Sequence, residues 1–353
     1  MSRYHVLMCG SRLDVKGGMV SVIKNYLGHE DWADANVVYV PTHVEKHKLV
    51  TALYFGAAYV KILCLLPKYK FKVAHLHTAE RGSFFRKAIL LRTLRAFGVK
   101  VILHHHAAEF EEFYAGLSEK MKAFAAKTLE LADCNIVLSR QLVSMITEKA
   151  PKARVEVLYN SVSTFPENPY NPDGENVLFL GRLGHRKGTY DLLHAIYDID
   201  NRVPKNVKFY LCGDGEVEQV RQQVKEMGIG HRIAHIGWIN KEQKQEILPN
   251  TCLNVLPSYN EGLPMTILET MAYGIPNIST AIASIPEVVI DGETGCLIQP
   301  GDVDALAEAM AKLLADPQQR SSMSKNCYEL IDKSFRLDNN IKQLLTIYRS
   351  LLN

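Results

Sequence analysis

Several signatures that would announce a function are missing from this chain. Its seven cysteines (Cys9, Cys64, Cys134, Cys212, Cys252, Cys296 and Cys327) are scattered, and none forms a C-x-x-C pair. Neither a zinc site nor a disulfide framework is implied, and a reducing cytoplasm suits the chain best. No run reaches the ~18 consecutive apolar residues expected of a membrane span. The opening MSRYHVLMCGS reads as a first buried strand and lacks the apolar core of a secretory signal. Gly213, Asp214 and Gly215 follow the strand-like KFYLC, but Glu218 stands where a dinucleotide fingerprint needs its third glycine. Helix-turn-helix, RRM and zinc-finger patterns are also absent, so nucleic acid is not an expected partner.

Acidic residues are scarce in one region. The net charge of +3 divides into +9 over residues 1–165 (23 Lys/Arg, 14 Asp/Glu) and −6 over the rest (18 and 24). Residues 46–100 hold 12 Lys/Arg and a single acid, Glu80. Such a bias implies a polyanionic partner. Residues 50–66 are nearly all apolar, with Lys61 the one charge, and RGSFFRKAILLRTLRAF at 81–97 mixes bulky apolar side chains with five cations. These stretches suit an anionic membrane surface, with Arg86, Lys87, Arg92 and Arg95 as contacting cations; they equally suit two helices packed on a sheet.

Short β-branched runs alternate with helical stretches throughout. Strands are expected at 3–9, 36–40, 73–77, 100–105, 134–138 and 155–158, then at 176–181, 207–212, 233–237, 253–256, 276–279 and 296–298. Alternation of this kind implies parallel sheets with helices on both faces. The Pro- and Asn-rich SVSTFPENPYNPDGEN at 161–176 reads as a linker. It separates an expected α/β domain at 1–163 from a second at 172–335. Ligands of open parallel sheets bind beyond the carboxyl ends of strands. Two such sheets facing each other would enclose a cleft, with functional residues in the loops after strands.

Chemistry-bearing residues do fall in such loops. After the strand LNVL comes PSYNEGLPMTILE, with Glu261 and Gly262 in the loop, a helix opening near Pro264, and Glu269 within it. A helix N-terminus beside a glycine can hold a diphosphate, and two carboxylates so spaced can grip different hydroxyls of one sugar nucleotide. In VLFLGRLGHRKG, Arg182 and Lys187 follow a strand end, where two cations suit a diphosphate gaining charge. Gly17 and Gly18 follow the first strand and open a helix, permitting close backbone approach to a phosphate or acceptor. The run VILHHHAAEF puts His104 and His106 on one strand face and His105 on the other, with His75 and His77 on another strand end. No carboxylate–histidine spacing of a metal motif accompanies them, and no metal site is expected.

The Glu261-to-Glu269 string resembles the Glu, seven residues, Glu signature of the retaining glycosyltransferases of family 4, which have the GT-B fold of two facing Rossmann-like α/β domains. The resemblance covers nearly the whole chain. It implies that Glu261 faces the donor sugar, that the backbone at Gly262 and Leu263 (with Pro264 beside them) meets the distal phosphate, and that Glu269 binds the ribose hydroxyls. Arg182 and Lys187 match the family's diphosphate-binding cations, and Gly17 and Gly18 its N-terminal Gly-Gly loop. His106 aligns with a family histidine near the reacting sugar, and Glu109 stands where it can meet the acceptor hydroxyl. Ile239 in HIGWI lies where the family places the nucleobase, and the helix at 338–352 resembles the one that returns to the first domain. The implied reaction moves a sugar from a nucleoside diphosphate to a glycan or lipid-linked acceptor, retaining configuration, with no cofactor or metal. The D-x-D triplets at 198–200 and 302–304 recapitulate a metal motif of the other large transferase fold, but sit at helix ends and read as capping and surface residues. Polymer-building family members act at the inner face of the cell membrane, which makes a cytoplasmic, peripheral location the expected one. An epimerase or hydrolase of the same fold, or a non-catalytic GT-B subunit, are the alternatives.

Overall fold

The computed structural model describes residues 3–106 and 109–352. It divides into two compact units, Met1–Ser161 with Leu337–Asn353, and Val162–Arg336.

The first unit is built on six parallel strands: β1 (Tyr4–Ser11), β2 (Ala35–His43), β3 (Val73–Thr78), β4 (Lys100–His105), β5 (Cys134–Val137) and β6 (Val155–Val157). Their order across the sheet is β2-β1-β3-β4-β5-β6. Continuous apolar runs make these strands rather than alternating ones, because crossover helices cover both faces. All six residues of β3 are buried, histidines included. The chain leaves β1 for β2 on one side and then returns to place β3 on the other. That reversal makes the carboxyl ends of β1 and β3 the switch point at which open sheets of this kind bind ligands.

The last helix, Leu337–Leu352, belongs to this first unit. Its apolar stripe buries Ile341, Leu344, Leu345 and Tyr348. Polar contacts fix its register: Asn340 accepts from Tyr26 Oη at 2.9 Å and donates to the Tyr159 carbonyl at 2.6 Å. Arg349 pairs with Asp34 at 2.7 Å.

The second unit repeats the plan with β7 (Asn176–Leu180), β8 (Lys208–Cys212), β9 (Ile233–Gly237), β10 (Thr251–Leu256), β11 (Asn277–Thr280) and β12 (Gly295–Ile298). Their order is β12-β11-β10-β7-β8-β9, so here the reversal lies between β7 and β10. The Pro- and Asn-rich segment read as a linker is packed onto this unit. Tyr170 Oη donates to the Cys252 carbonyl at 3.0 Å, and Tyr328 Oη to the Phe165 carbonyl at 2.7 Å.

Two expectations about the basic region need correction. The helix Lys48–Tyr69 is, by length and composition, apolar enough to cross a membrane, with a mean hydropathy of 1.9 over an 18-residue window. Lys61 hides this from a search for unbroken apolar runs. The cations of 81–97 do not project together. Lys87 is buried, donates from Nζ to Thr42 Oγ1 at 2.5 Å, and is pushed down to about 8 by burial. Arg92 lies over the Phe124 ring at 4.2 Å, and Arg95 pairs with Asp133 at 2.6 Å. Arg86 is half-buried, and burial lowers its pKa as well.

Candidate functional site

The reversal between β7 and β10 brings two loops together that are far apart in the chain. The loop after β7 runs through Gly181–Arg182–Leu183–Gly184 into a single 3-10 turn, His185–Lys187, and then the helix Thr189–Asp198. The loop after β10 carries Ser258, Tyr259, Asn260 and Glu261 before the helix Met265–Ala272. One backbone and one side-chain bond stitch them: Tyr259 N–H donates to the Arg186 carbonyl at 2.9 Å, and Arg186 Nη1 to the Asn260 carbonyl at 3.2 Å. Gly188, at φ 67°, makes the approach sterically allowed. A Cβ there would lie 2.0 Å from the Pro257 carbonyl oxygen, which no side chain tolerates.

The result is a direct ion pair between Lys187 Nζ and Glu261 Oε1, with side chains 14% and 7% exposed. Ser258 Oγ donates to the same carboxylate oxygen at 2.8 Å. Glu261 is therefore largely buried, with a cation and a hydroxyl both meeting one carboxylate oxygen. Arg182, one turn of loop away, is exposed and makes no ion pair or side-chain hydrogen bond among the described residues. It is a guanidinium available to an anion.

Beyond Glu261, Gly262 is half-buried and Leu263 and Pro264 are buried. Pro264 is the N-cap residue itself, in extended conformation at ψ 123°, one position before the first helical turn where it was expected. No side chain caps this eight-residue helix, whose first-turn N–H groups and partial positive charge can thus serve an anion. Glu269, just over one turn in, does not join Glu261. It pairs with Lys244 at 2.8 Å, and both are partly exposed. Ile239 points its side chain into a core cluster with Leu178, Cys212, Leu248 and Ile275, which leaves its main chain as the part a base can contact. One carboxylate of each D-x-D triplet is otherwise engaged, and Asp198 and Asp304 are exposed. Asp302 caps its helix by accepting from Ala305 N–H at 2.9 Å, and Asp200 holds Arg232 and His231 at 2.6 and 2.8 Å.

In the first unit, Gly17 is exposed at φ 134° and caps the helix Gly18–Gly28, which has no side-chain cap and no acid in its first turn. The carboxyl ends of β3 and β4 carry a stack of imidazoles. Alternation puts His75 and His77 of β3 and His104 of β4 on one face, with His106 following. Neighbouring rings lie 4.4–5.1 Å apart, at interplanar angles of 15–31°. Tyr348 Oη meets His75 Nδ1 at 2.6 Å, His75 Nε2 meets His104 Nδ1 at 2.9 Å, and His77 Nδ1 meets His106 Nε2 at 2.9 Å. Nitrogens of His75, His77 and His104 lie within 4.8 Å of one another. His75 with His104, and His77 with His106, meet edge to edge through ring nitrogens, so these nitrogens are already engaged in a hydrogen-bonded ladder. His105, on the opposite face, bonds Asn135 at 3.1 Å.

Burial keeps these histidines neutral. His75 and His106 are pushed down to about 3, and His105 to about 4, with burial the main cause and neighbouring imidazoles adding to it for His106. His77 Nε2 is buried without a partner. A buried orphan N–H is rarer than a buried orphan lone pair, so the proton of His77 belongs on Nδ1, donated to His106 Nε2. His106 then carries its own proton on Nδ1, as a hydrogen-bond donor. Glu109 opens the helix Phe110–Ala115 and pairs with Arg81 at 3.0 Å. Arg81 is itself at φ 57°, ψ −129°, an unfavourable backbone for a side-chain-bearing residue.

The roles of Ser258, Lys244 and His77 were not read from the sequence. Ser258 meets Glu261 within one loop, whereas Lys244 meets Glu269 and His77 meets His106 from elements far apart in the chain, contacts that residue spacing does not reveal.

The model described as "Glycosyl transferases group 1" matches residues 163–330, and that described as "Glycosyltransferase Family 4" matches residues 4–164. The chain belongs to the family 4 type of glycosyltransferase, with the GT-B fold. Among its relatives, an uncharacterised 41.2 kDa protein of the cps region of Klebsiella pneumoniae is 25% identical over 95% of this chain and 97% of its own. N-acetyl-alpha-D-glucosaminyl L-malate synthase of Bacillus anthracis is 28% identical over 79% of this chain and 75% of its own. Of solved structures, sucrose-phosphate synthase from Thermosynechococcus elongatus superposes with a TM-score of 0.82 at 21% identity, covering 99% of each chain. HepE of Anabaena, in complex with UDP-glucose, gives 0.73 at 17% identity, over 98% of this chain and 99% of its own.

Proposed function

We propose that this glycosyltransferase moves a sugar from a nucleoside diphosphate to a hydroxyl of a glycan or lipid-linked saccharide, with retention and without a metal ion, at the cytoplasmic face of a membrane. The observation that carries the proposal is the Lys187–Glu261 pair, held at the β7/β10 reversal with the uncapped helix Met265–Ala272 directly after it. Lys187, Arg182 and the helix N-terminus can take up charge on the departing diphosphate. Glu261 then orients the sugar and favours its cationic transition state, with Glu269 on the ribose and the Ile239 main chain at the base. Gly17, Gly18, His106 and Glu109 serve the acceptor and the reacting sugar. No divalent ion is needed where two side-chain cations can meet the diphosphate, and one carboxylate of each D-x-D triplet is engaged elsewhere, Asp200 by Arg232 and Asp302 by its own helix.

HepE was solved with UDP-glucose, so UDP-sugars are the first donors to try. Thermal shift against nucleotide sugars would identify the donor. Proton NMR of the product formed on a lipid-linked saccharide would then give its anomeric configuration. Transfer with retention is expected. Sugar release at equal rate with and without acceptor would mean a hydrolase, and an inverted product would remove the retaining mechanism.

A further inference from the structure

The helix Lys48–Tyr69 is apolar on two faces, and the protein covers only one of them. Thr51, Ala58, Ile62 and Leu66 are buried against the first sheet, in a core that includes Leu7, Val40, Leu76 and Leu91. At 100° per residue, positions 49, 53, 57, 60 and 64 form a stripe on the other side. There Leu49, Leu53 and Val60 are 65%, 67% and 58% exposed. Ala57 and Cys64 are exposed among them. The neighbouring helix Gly82–Ala96, tied to this one by Tyr59 Oη and Thr93 Oγ1 at 2.9 Å, adds exposed Ile89, with Phe97 just beyond its end. A row of large apolar side chains left in water along one helix marks an interaction surface.

The charges around the stripe say what fits it. The helix has no acid; its ionic residues are Lys48, Lys61 and Lys68, all exposed, and none forms an ion pair among the described residues. A two-fold contact between copies of this chain would set these lysines against one another, which opposes self-association. An anionic bilayer satisfies both features at once, taking the stripe into its acyl boundary and the ammonium groups among its headgroups. The helix cannot span that bilayer without tearing Ala58, Ile62 and Leu66 from the core, so it must lie flat. We propose that the exposed stripe Leu49–Leu53–Ala57–Val60–Cys64 docks this enzyme in the plane of an anionic lipid surface, steered by Lys48, Lys61 and Lys68. The inference specifies the membrane contact named under the proposed function, and it stands or falls on lipid binding rather than on turnover.

Cys64 supplies the reporter, since Cys296 is half-exposed and the other cysteines are buried. An environment-sensitive fluorophore on Cys64 of the full chain, in a Cys296→Ser background, is titrated with phosphatidylglycerol/phosphatidylcholine vesicles and with phosphatidylcholine alone. The expected result is a blue shift and co-sedimentation with the anionic vesicles, weakened by salt. Affinity for neutral vesicles should be lower by about tenfold or more. Leu53→Glu/Val60→Glu alters only exposed positions and should abolish sedimentation while transfer to a short soluble acceptor persists. Lys48→Gln/Lys61→Gln/Lys68→Gln should weaken binding to anionic vesicles alone. Failure of the unmodified chain to bind anionic vesicles would overturn the proposal. So would unchanged binding by the double glutamate variant, or a dimer in sedimentation velocity that this variant dissolves. Vesicle binding without transfer would instead discredit the transferase reading and leave the docking surface intact.

Discussion

Replacing Lys187 with alanine should damage both stability and turnover, and a second substitution should separate the two. In the native site the Glu261 carboxylate is 7% exposed and is met by Lys187 and by Ser258 Oγ at 2.8 Å. Removing one partner of a fully buried ion pair costs ~3–5 kcal/mol, because the remaining charge is left without compensation. Ser258 remains, and Lys187 is 14% exposed, so the cost falls at or below the bottom of that range, about 2–3 kcal/mol. For a unit of this size that is a fall in Tm of roughly 4–12 °C. Lys187→Ala/Glu261→Gln removes the orphaned charge and should recover most of that loss. Turnover should behave differently. A cation aimed at developing charge is worth ~3 kcal/mol, about a hundredfold in rate, and neither variant restores it. Glu261→Gln alone should cripple transfer yet keep nucleoside diphosphate binding by calorimetry, since affinity for the diphosphate is assigned to the cations and backbone. Scanning calorimetry with steady-state kinetics on the four proteins tests the scheme. A double variant as unstable as Lys187→Ala would mean the pair is not the source of the stability, and near-native turnover by Lys187→Ala would refute the diphosphate assignment.

Arg182→Ala should leave Tm almost unchanged, because the side chain is exposed and unpaired, while lowering turnover by about a hundredfold; near-native rates would exclude it from the diphosphate. Transfer should survive EDTA, and complete loss restored by Mg²⁺ or Mn²⁺ would contradict the metal-free mechanism. The neutral histidines predict acid lability: His75, His77, His104 and His105 have native values held below the ordinary 6.5 by burial, so their stabilisation is intact above about pH 6.5. It is lost as pH falls toward their native values, at up to about 1.4 kcal/mol per pH unit for each, and a native near-ultraviolet circular dichroism spectrum at pH about 4.5 would refute this. His77→Asn, whose amide can donate from the Nδ1 position, should retain more transfer than His77→Leu, and equal rates would remove its positioning role.

The strands were legible because parallel strands covered on both faces read as short, continuous apolar runs, and the glycine, proline and acid signals between them mark the turns. VAHLHT shows how far this goes: its histidines did not disguise a strand whose every position is buried. Strand ends also located Arg182, Lys187 and Glu261, since ligand-binding residues cluster there in open α/β sheets. Pairing was another matter. Lys187 and Glu261 are 74 residues apart, and only the neighbourhood of β7 and β10, with Gly188 pressed against Pro257, brings them into contact. Charge counting failed at 81–97 for a related reason. Composition cannot tell that Lys87 turns inward to Thr42 while Lys61 stays in water. Nor can an apolar helix sequence show which of its faces the sheet will cover.

The histidine ladder bears on where the acceptor proton goes in the proposed reaction. A general base needs a free lone pair and a pKa near the working pH. His106 is half-buried, is pushed down to about 3 by that burial, and has its Nε2 engaged by His77 Nδ1. With its own proton on Nδ1 it can donate a hydrogen bond to a hydroxyl or sugar oxygen, but it has no free lone pair with which to accept a proton. The carboxylates are also committed: Glu109 to Arg81, and Glu261 to Lys187 and Ser258. Among the groups assigned to the reaction, the oxygen left on the departing diphosphate is the one whose basicity rises as the glycosidic bond breaks. Arg182, Lys187 and the helix N-terminus would stabilise that oxygen without fully quenching it. This favours front-face transfer, in which the acceptor proton passes to the leaving phosphate on the same side that the new bond forms. It also makes His106 a donor whose loss should slow transfer without removing an ionisation between pH 5 and 8 from the rate profile, because burial holds its own pKa at about 3.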